Sequence, residues 1–137
     1  MRRPEKLCNT TIKVYYRGSC GSSRRAFSWF EKYNIDVQKQ QISKMTRDDL
    51  FKLLQLSDEG LKDIVKRPGK SSSEVKDALK YMELLSFNEA LYFVLSHPYV
   101  LQTPIIMDGN NHLIGYNEDE IRKFLPKEYR RHRLLSE

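Results

Sequence analysis

Apolar residues fall in short runs whose spacing changes along the chain, and each change marks a new element. Ile12-Lys13-Val14-Tyr15-Tyr16 alternates in the period of a half-buried strand. From Ala26 to Tyr33 the spacing becomes helical, predicting a helix over about 22–34 that stops at Asn34. Ile35-Asp36-Val37 followed by Gln38-Lys39-Gln40 predicts a second, polar-faced strand. Thr46 then supplies an N-cap and Asp48 and Asp49 early acids for a helix that buries Leu50, Leu53 and Leu54 and ends near Leu56-Ser57. Three more turn-spaced sets follow: Leu61, Ile64 and Val65; Val75, Ala78, Leu79 and Met82; and Phe87, Ala90, Leu91, Val94 and Leu95. A loop at Arg67-Pro68-Gly69-Lys70-Ser71-Ser72-Ser73 separates the first two of these sets, and His97-Pro98 stops the last.

The final third returns to short apolar runs. Pro104-Ile105-Ile106-Met107 and His112-Leu113-Ile114-Gly115-Tyr116 flank the turn residues Asp108-Gly109-Asn110-Asn111, which predicts a hairpin. Asn117 caps a closing helix, Glu118, Asp119 and Glu120 suit its dipole, and Ile121, Phe124 and Leu125 form its buried stripe before Pro126. The order is β-α-β, a helical insertion over about 43–100, then β-β-α. That is an α/β fold, a thioredoxin-like mixed sheet carrying an inserted α-helical subdomain, in a single domain over 11–127. Residues 1–10 read as a leader and 128–137 as a basic tail.

Composition bounds the class. At 137 residues with 39% hydrophobic content, the chain can bury one real core. Charge-free stretches are far shorter than a membrane span, and Met1-Arg2-Arg3-Pro4 leads into Glu5 and Lys6 instead of an apolar signal core, so a cytoplasmic protein without membrane contact is expected. The net charge of +6 is carried by residues 1–25 and 122–137, while the middle is net acidic. Such ends can meet nucleic acid or an acidic protein face, or stay solvated, as Tyr129-Arg130-Arg131-His132-Arg133 can. No helix shows the basic and amide pattern of a DNA reader, so any DNA contact is expected to be weak or made within a larger complex. His97, His112 and His132 lack metal-ligand spacing, and neither metal nor cofactor is called for.

Cys20 carries the candidate chemistry. It stands in Arg17-Gly18-Ser19-Cys20-Gly21-Ser22-Ser23-Arg24-Arg25, where the first strand hands over to the first helix. Free amides and the positive end of the helix dipole favour a thiolate there, and Arg24 and Arg25 add positive charge. Three residues on, where a dithiol site carries its second cysteine, stands Ser23. Two readings stay open: a functional thiol, or an inert residue in a small-residue turn. Cys8 and Cys20 are expected to be free thiols. Trp29 and Phe30 read as packing against the sheet, and not as a platform for bases.

Three blocks carry a family resemblance. Cys20-Gly21-Ser22-Ser23-Arg24, Thr103-Pro104-Ile105-Ile106 and the run from Gly115 to Pro126 resemble the arsenate reductase/Spx family, over about residues 11–127, and the last block is most similar to the Spx branch. In the reductase branch a cysteine thiolate attacks arsenate and arginines hold the oxyanion. By that resemblance Cys20, Arg24 and Arg67 are the catalytic set of an arsenate reductase-like oxidoreductase. The family's Arg-Pro, however, is Thr103-Pro104 here, and the later reductase arginine falls on Tyr116. Losing two guanidinium partners, at about 1.5–3 kcal/mol for each charged hydrogen bond, argues against efficient arsenate reduction.

The Spx branch implies a transcription regulator, a monomer without enzymatic step, that binds the C-terminal domain of the RNA polymerase α subunit. Gly60, with Glu59 and Leu61, occupies the place of the family's partner-binding glycine. Lacking Cβ, Gly60 permits close approach or a positive φ, and a plain helix C-cap is the competing reading. Ser23 removes the disulfide of the dithiol Spx proteins, which leaves sulfenic acid, mixed disulfides or a remote pairing with Cys8. The arginine that Thr103 replaces communicates with the redox site in Spx, so a constitutive or differently signalled regulator is expected. The resemblance also makes Pro104 a cis-proline facing Cys20.

Overall fold

The computed structural model describes residues 11–126. Cys8, the leader and the basic tail, with His132 in it, lie outside the described residues. Four strands form one mixed sheet: β1 (Lys13–Tyr16), β2 (Gln38–Gln41), β3 (Ile105–Met107) and β4 (His112–Ile114), in the order β2-β1-β3-β4. β2 runs parallel to β1, while β3 is antiparallel to both β1 and β4. The crossover from β1 to its parallel neighbour is α1 (Gly21–Lys32). Between β2 and β3 the chain makes α2 (Arg47–Leu56), the single turn α3 (Leu61–Ile64), α4 (Ser73–Met82) and α5 (Phe87–Ser96).

The alternation of β1 and β3 divides the interior into two cores. Val14 and its partner Ile106 face α1, packing with Ala26, Trp29, Phe30 and Phe124. Tyr15 and its partner Ile105 face the inserted helices, packing with Leu50, Leu53, Ile64 and Val94. Successive strand residues point to opposite faces, so each core is built from every second position. Trp29 and Phe30 meet edge to face at 5.1 Å and are both buried, the packing role expected of them.

The caps read from the sequence form. Thr46 Oγ1 accepts from the Asp49 amide at 3.1 Å, Ser72 caps α4, and Ser86 with Glu89 makes a full capping box on α5. Asn34 ends the first helical run in the left-handed region, at φ 55°.

Four expectations are corrected. Ile35-Asp36-Val37 is a lead-in and not part of the strand: Ile35 is buried below α1, and pairing begins at Gln38. Phe87, expected on the buried stripe of α5, is 54% exposed because it is the first helical residue and lies ahead of the packed turns. Gly60 does not cap α2, whose C-cap is Ser57; it opens α3. The closing helix is a 3-10 segment, Glu120–Phe124. Asn117 does cap it, accepting from the amides of Asp119 and Glu120 at 2.9 Å each, but Pro126 forces Leu125 into extended backbone and leaves room for little more than one turn. Ile121, Phe124 and Leu125 are buried as expected.

One buried carboxylate ties the insertion to the sheet. Asp49, in the first turn of α2, accepts from Lys13 Nζ at 2.7 Å and from the Tyr15 hydroxyl, both on β1. Burial works against its ionisation, yet the hydrogen bonds from Lys13 and Tyr15 and the charge of Lys13 hold it below the usual carboxylate range. The same burial and the carboxylate push Tyr15 up to about 12. Asp49→Asn is expected to cost about 1–3 kcal/mol in thermal or urea unfolding near neutral pH. Because the folded-state value lies below the unfolded one, the contribution is full above the ordinary carboxylate range and is lost as pH falls through the lower folded value. Wild type and variant should therefore converge in acid, below about pH 4; a gap that persists there would remove the ionised carboxylate from the account.

Candidate functional site

Cys20 is the N-cap of α1. The turn from β1 is closed by its amide donating to Arg17 O at 3.0 Å, and its own carbonyl accepts from the Arg24 amide at 3.2 Å. The sulfur is half-buried and faces the loop before β3, with Sγ 3.6 Å from Thr103 O. The Thr103–Pro104 peptide bond is cis. Burial raises the thiol's affinity for its proton, but polar hydrogens of Ser23, Thr103 and the Ser23 and Ser22 amides favour the charged form and bring it down to about 7.

Ser23 is buried at 1% exposure, and its hydroxyl accepts from the Arg17 amide at 3.4 Å. At the position of a second thiol the chain thus holds a hydroxyl that supports the thiolate and forms no disulfide.

The cations near Cys20 are not those expected. Arg24 is exposed and turns back to donate to Gly18 O at 3.3 Å, while Arg25 donates to Ser22 Oγ and lies over the Tyr116 ring. Arg67 sits exposed at the start of the next 3-10 turn and makes no hydrogen bond or ion pair to Cys20. The guanidinium that reaches the site belongs to Arg17. It donates to Pro98 O at 2.9 Å, to Thr103 Oγ1 at 3.2 Å and to Leu101 O at 3.3 Å. Lys66 is the second cation coupled to the thiolate. Both were missed. The available signal was a guanidinium lacking at Thr103 beside one gained at Arg17, but only the fold brings those two loops together.

Gly60, Glu59 and Leu61 lie at a groove of about 650 Å³ in the helical subdomain. Leu61, Val65, Leu79 and Met82 give it an apolar floor, with Glu59 and Lys66 among the charged residues that also line it. Gly60 has φ 69° and ψ −137°, backbone that side-chain-bearing residues rarely adopt, and a Cβ there would meet nothing within 4 Å. Its backbone therefore requires glycine, and its outer side is open. The exposed Lys62–Glu59 pair, at 4.0 Å, adds little. Gln102 clamps this segment, donating through Nε2 to Val65 O at 2.8 Å and Asp63 O at 3.3 Å, while Lys66 N donates to Val100 O at 2.7 Å.

Among the described residues no group of three or more His, Cys, Asp or Glu side chains is placed to hold a metal ion, and no helix is long and apolar enough to cross a membrane.

The fold is that of the arsenate reductase structures. An arsenate reductase from Vibrio cholerae superposes with a TM-score of 0.68 at 16% identity, covering 88% of this chain and 100% of that one. An ArsC family related protein from Bacteroides fragilis gives 0.68 at 18% identity, covering 83% and 97%. These define a thioredoxin-like domain of the arsenate reductase type. The ArsC family model matches residues 15–124, and the chain belongs to that family. Within it, the chain is 37% identical over 121 residues to the global transcriptional regulator Spx 2 of Bacillus cereus, covering 87% of this chain and 90% of that protein. The global transcriptional regulator Spx of Streptococcus mutans is 35% identical over 126 residues, covering 90% and 89%.

A thiol at about 7 should be alkylated with a rate that rises through neutrality, where an ordinary cysteine rises near 8.5. In a Cys8→Ser chain, iodoacetamide modification of Cys20 followed by mass spectrometry from pH 5 to 10 measures it, on the order of one and a half units below an ordinary thiol. An inflection at the ordinary position would make Cys20 an inert turn residue.

Proposed function

We propose that this chain is a cytoplasmic transcription regulator of the Spx kind, which binds the C-terminal domain of the RNA polymerase α subunit through Glu59, Gly60 and Leu61 and acts without a disulfide switch at its first turn. The observation that carries this reading is the open, positive-φ glycine at the edge of an apolar groove, in a chain similar over about nine-tenths of its length to proteins named as global transcriptional regulators. A bare backbone with free space above it admits a partner closely, and the groove beside it supplies apolar area to bury. Ser23 supports the single-thiol part of the reading. DNA contact belongs to the polymerase complex, and no catalytic step is needed. The rival, a monothiol arsenate reductase, draws on the lowered Cys20 thiol, but Arg24 and Arg67 do not converge on that sulfur.

Calorimetric titration against the purified α C-terminal domain tests it. Gly60→Ala and Gly60→Arg bear the same backbone strain, and the free space around the Cβ gives the fold no reason to tell them apart. Saturable binding that Ala weakens modestly and Arg weakens at least about tenfold further, a difference of ~1.4 kcal/mol, is expected. Equal affinity of the two folded variants would remove the glycine from the interface, and no binding by the wild type would sink the polymerase reading.

A further inference from the structure

Arg17 is a half-buried cation held by carbonyls and a hydroxyl, with no carboxylate paired to it among the described residues. Carbonyl acceptors satisfy its donors without cancelling its charge. Thr103 sets its position relative to the thiol, because the Thr103 hydroxyl accepts from the guanidinium and the Thr103 carbonyl faces Cys20 Sγ. The Arg17 carbonyl accepts from the Cys20 amide, so strand end, thiol and the loop before β3 form one braced unit. Lys66 approaches from the segment after α3, and its ammonium too has no carboxylate partner among the described residues. From α1 the charged neighbours are Arg24 and Arg25, both turned onto their own loop and helix.

We propose that Arg17 is the counter-charge of Cys20, a positioning residue that makes this thiol a single-site acceptor of small disulfides bearing negative charge. The Cys20 thiolate attacks one sulfur of such a disulfide, whose S–S bond breaks as a mixed disulfide to Cys20 forms. The other half leaves as a thiolate and takes a proton from water. The Cys20 sulfur is oxidised, the departing sulfur is reduced, and the small disulfide is the only oxidant required. Ser23 presents a hydroxyl where a resolving thiol would stand, so the adduct persists until an external thiol removes it. The inference is independent of the polymerase reading, and either can fail alone.

The test measures Cys20 modification in a Cys8→Ser chain by three probes of different charge: anionic dithiobis(nitrobenzoate), neutral dithiodipyridine and cationic cystamine. Each rate is divided by that of the urea-unfolded chain at the same pH and ionic strength, which removes intrinsic reactivity and the bulk of the net-charge effect. The folded protein should favour the anion over the neutral probe and the neutral probe over the cation. Arg17→Gln should lower the anionic-to-neutral ratio about threefold or more, the expected effect of one charge several ångströms away in a partly wet site. Arg17→Lys should keep the preference. Lys32→Gln, which removes an equal charge near the other end of α1, should leave it unchanged. An unchanged ratio in folded Arg17→Gln, or an equal fall in Lys32→Gln, would overturn the proposal. If Arg17→Gln loses its thermal transition, Arg17→Lys decides: a retained preference supports the assignment and a lost one refutes it.

Discussion

The rest of the structure depends on the carboxylate of Asp49. An α-helical insertion between two strands of one sheet has no inherent reason to pack in a single orientation, because apolar faces slide. A buried acid in the first turn of α2, reaching both Lys13 and Tyr15 on the central strand β1, fixes where the insertion begins. Ionisation there is favoured by the helix dipole and by Lys13, and the Thr46 cap holds the turn that presents it. With that anchor set, Tyr15, Leu50, Leu53 and Ile64 close one core while Val14 and Phe30 close the other.

The anchored insertion returns to the sheet through residues 98–104, which face two ways. On one side Arg17 donates to Pro98 O and Leu101 O, and Thr103 O faces the Cys20 sulfur. On the other, Val100 O accepts from Lys66 N, and Gln102 holds the carbonyls of Asp63 and Val65, immediately after Gly60 and Leu61. Thiol loop and groove are thus braced against opposite sides of one short segment. The departures of this chain from its family gather at the thiol side: Ser23 in place of a second cysteine, Thr103 in place of an arginine, and a guanidinium arriving from the end of β1.

Much of this was legible in the residues. Period-2 alternation located β1, helical spacing located α1 and α2, and the Ser and Thr caps located the starts of α2, α4 and α5, because these signals are local and the physics behind them is local too. The hairpin of β3 and β4 followed from the turn residues between them. What failed was settled at a distance. Val37 was read with the strand because alternation cannot say where a partner begins to pair. The closing helix was read too long because the extended backbone imposed before Pro126 competes directly with its last turn. Arg24 was read as a ligand of Cys20 on sequence spacing, whereas the cation that reaches the thiol, Arg17, does so by bridging to residues more than eighty positions away. Asp49 read correctly as a helix-favouring acid, and its larger role across the sheet had no local signal.

The central claim is that the segment around Gly60 is a docking surface. Amide chemical-shift mapping of the isotopically labelled chain, titrated with the unlabelled α C-terminal domain, tests it most directly. The account predicts a contiguous set of perturbed amides over 57–67, reaching the groove residues Leu79 and Met82 and leaving the outer face of α1 unchanged. Perturbations confined to Arg24, Arg25 and Lys32 on α1, or none at saturating partner, would contradict it.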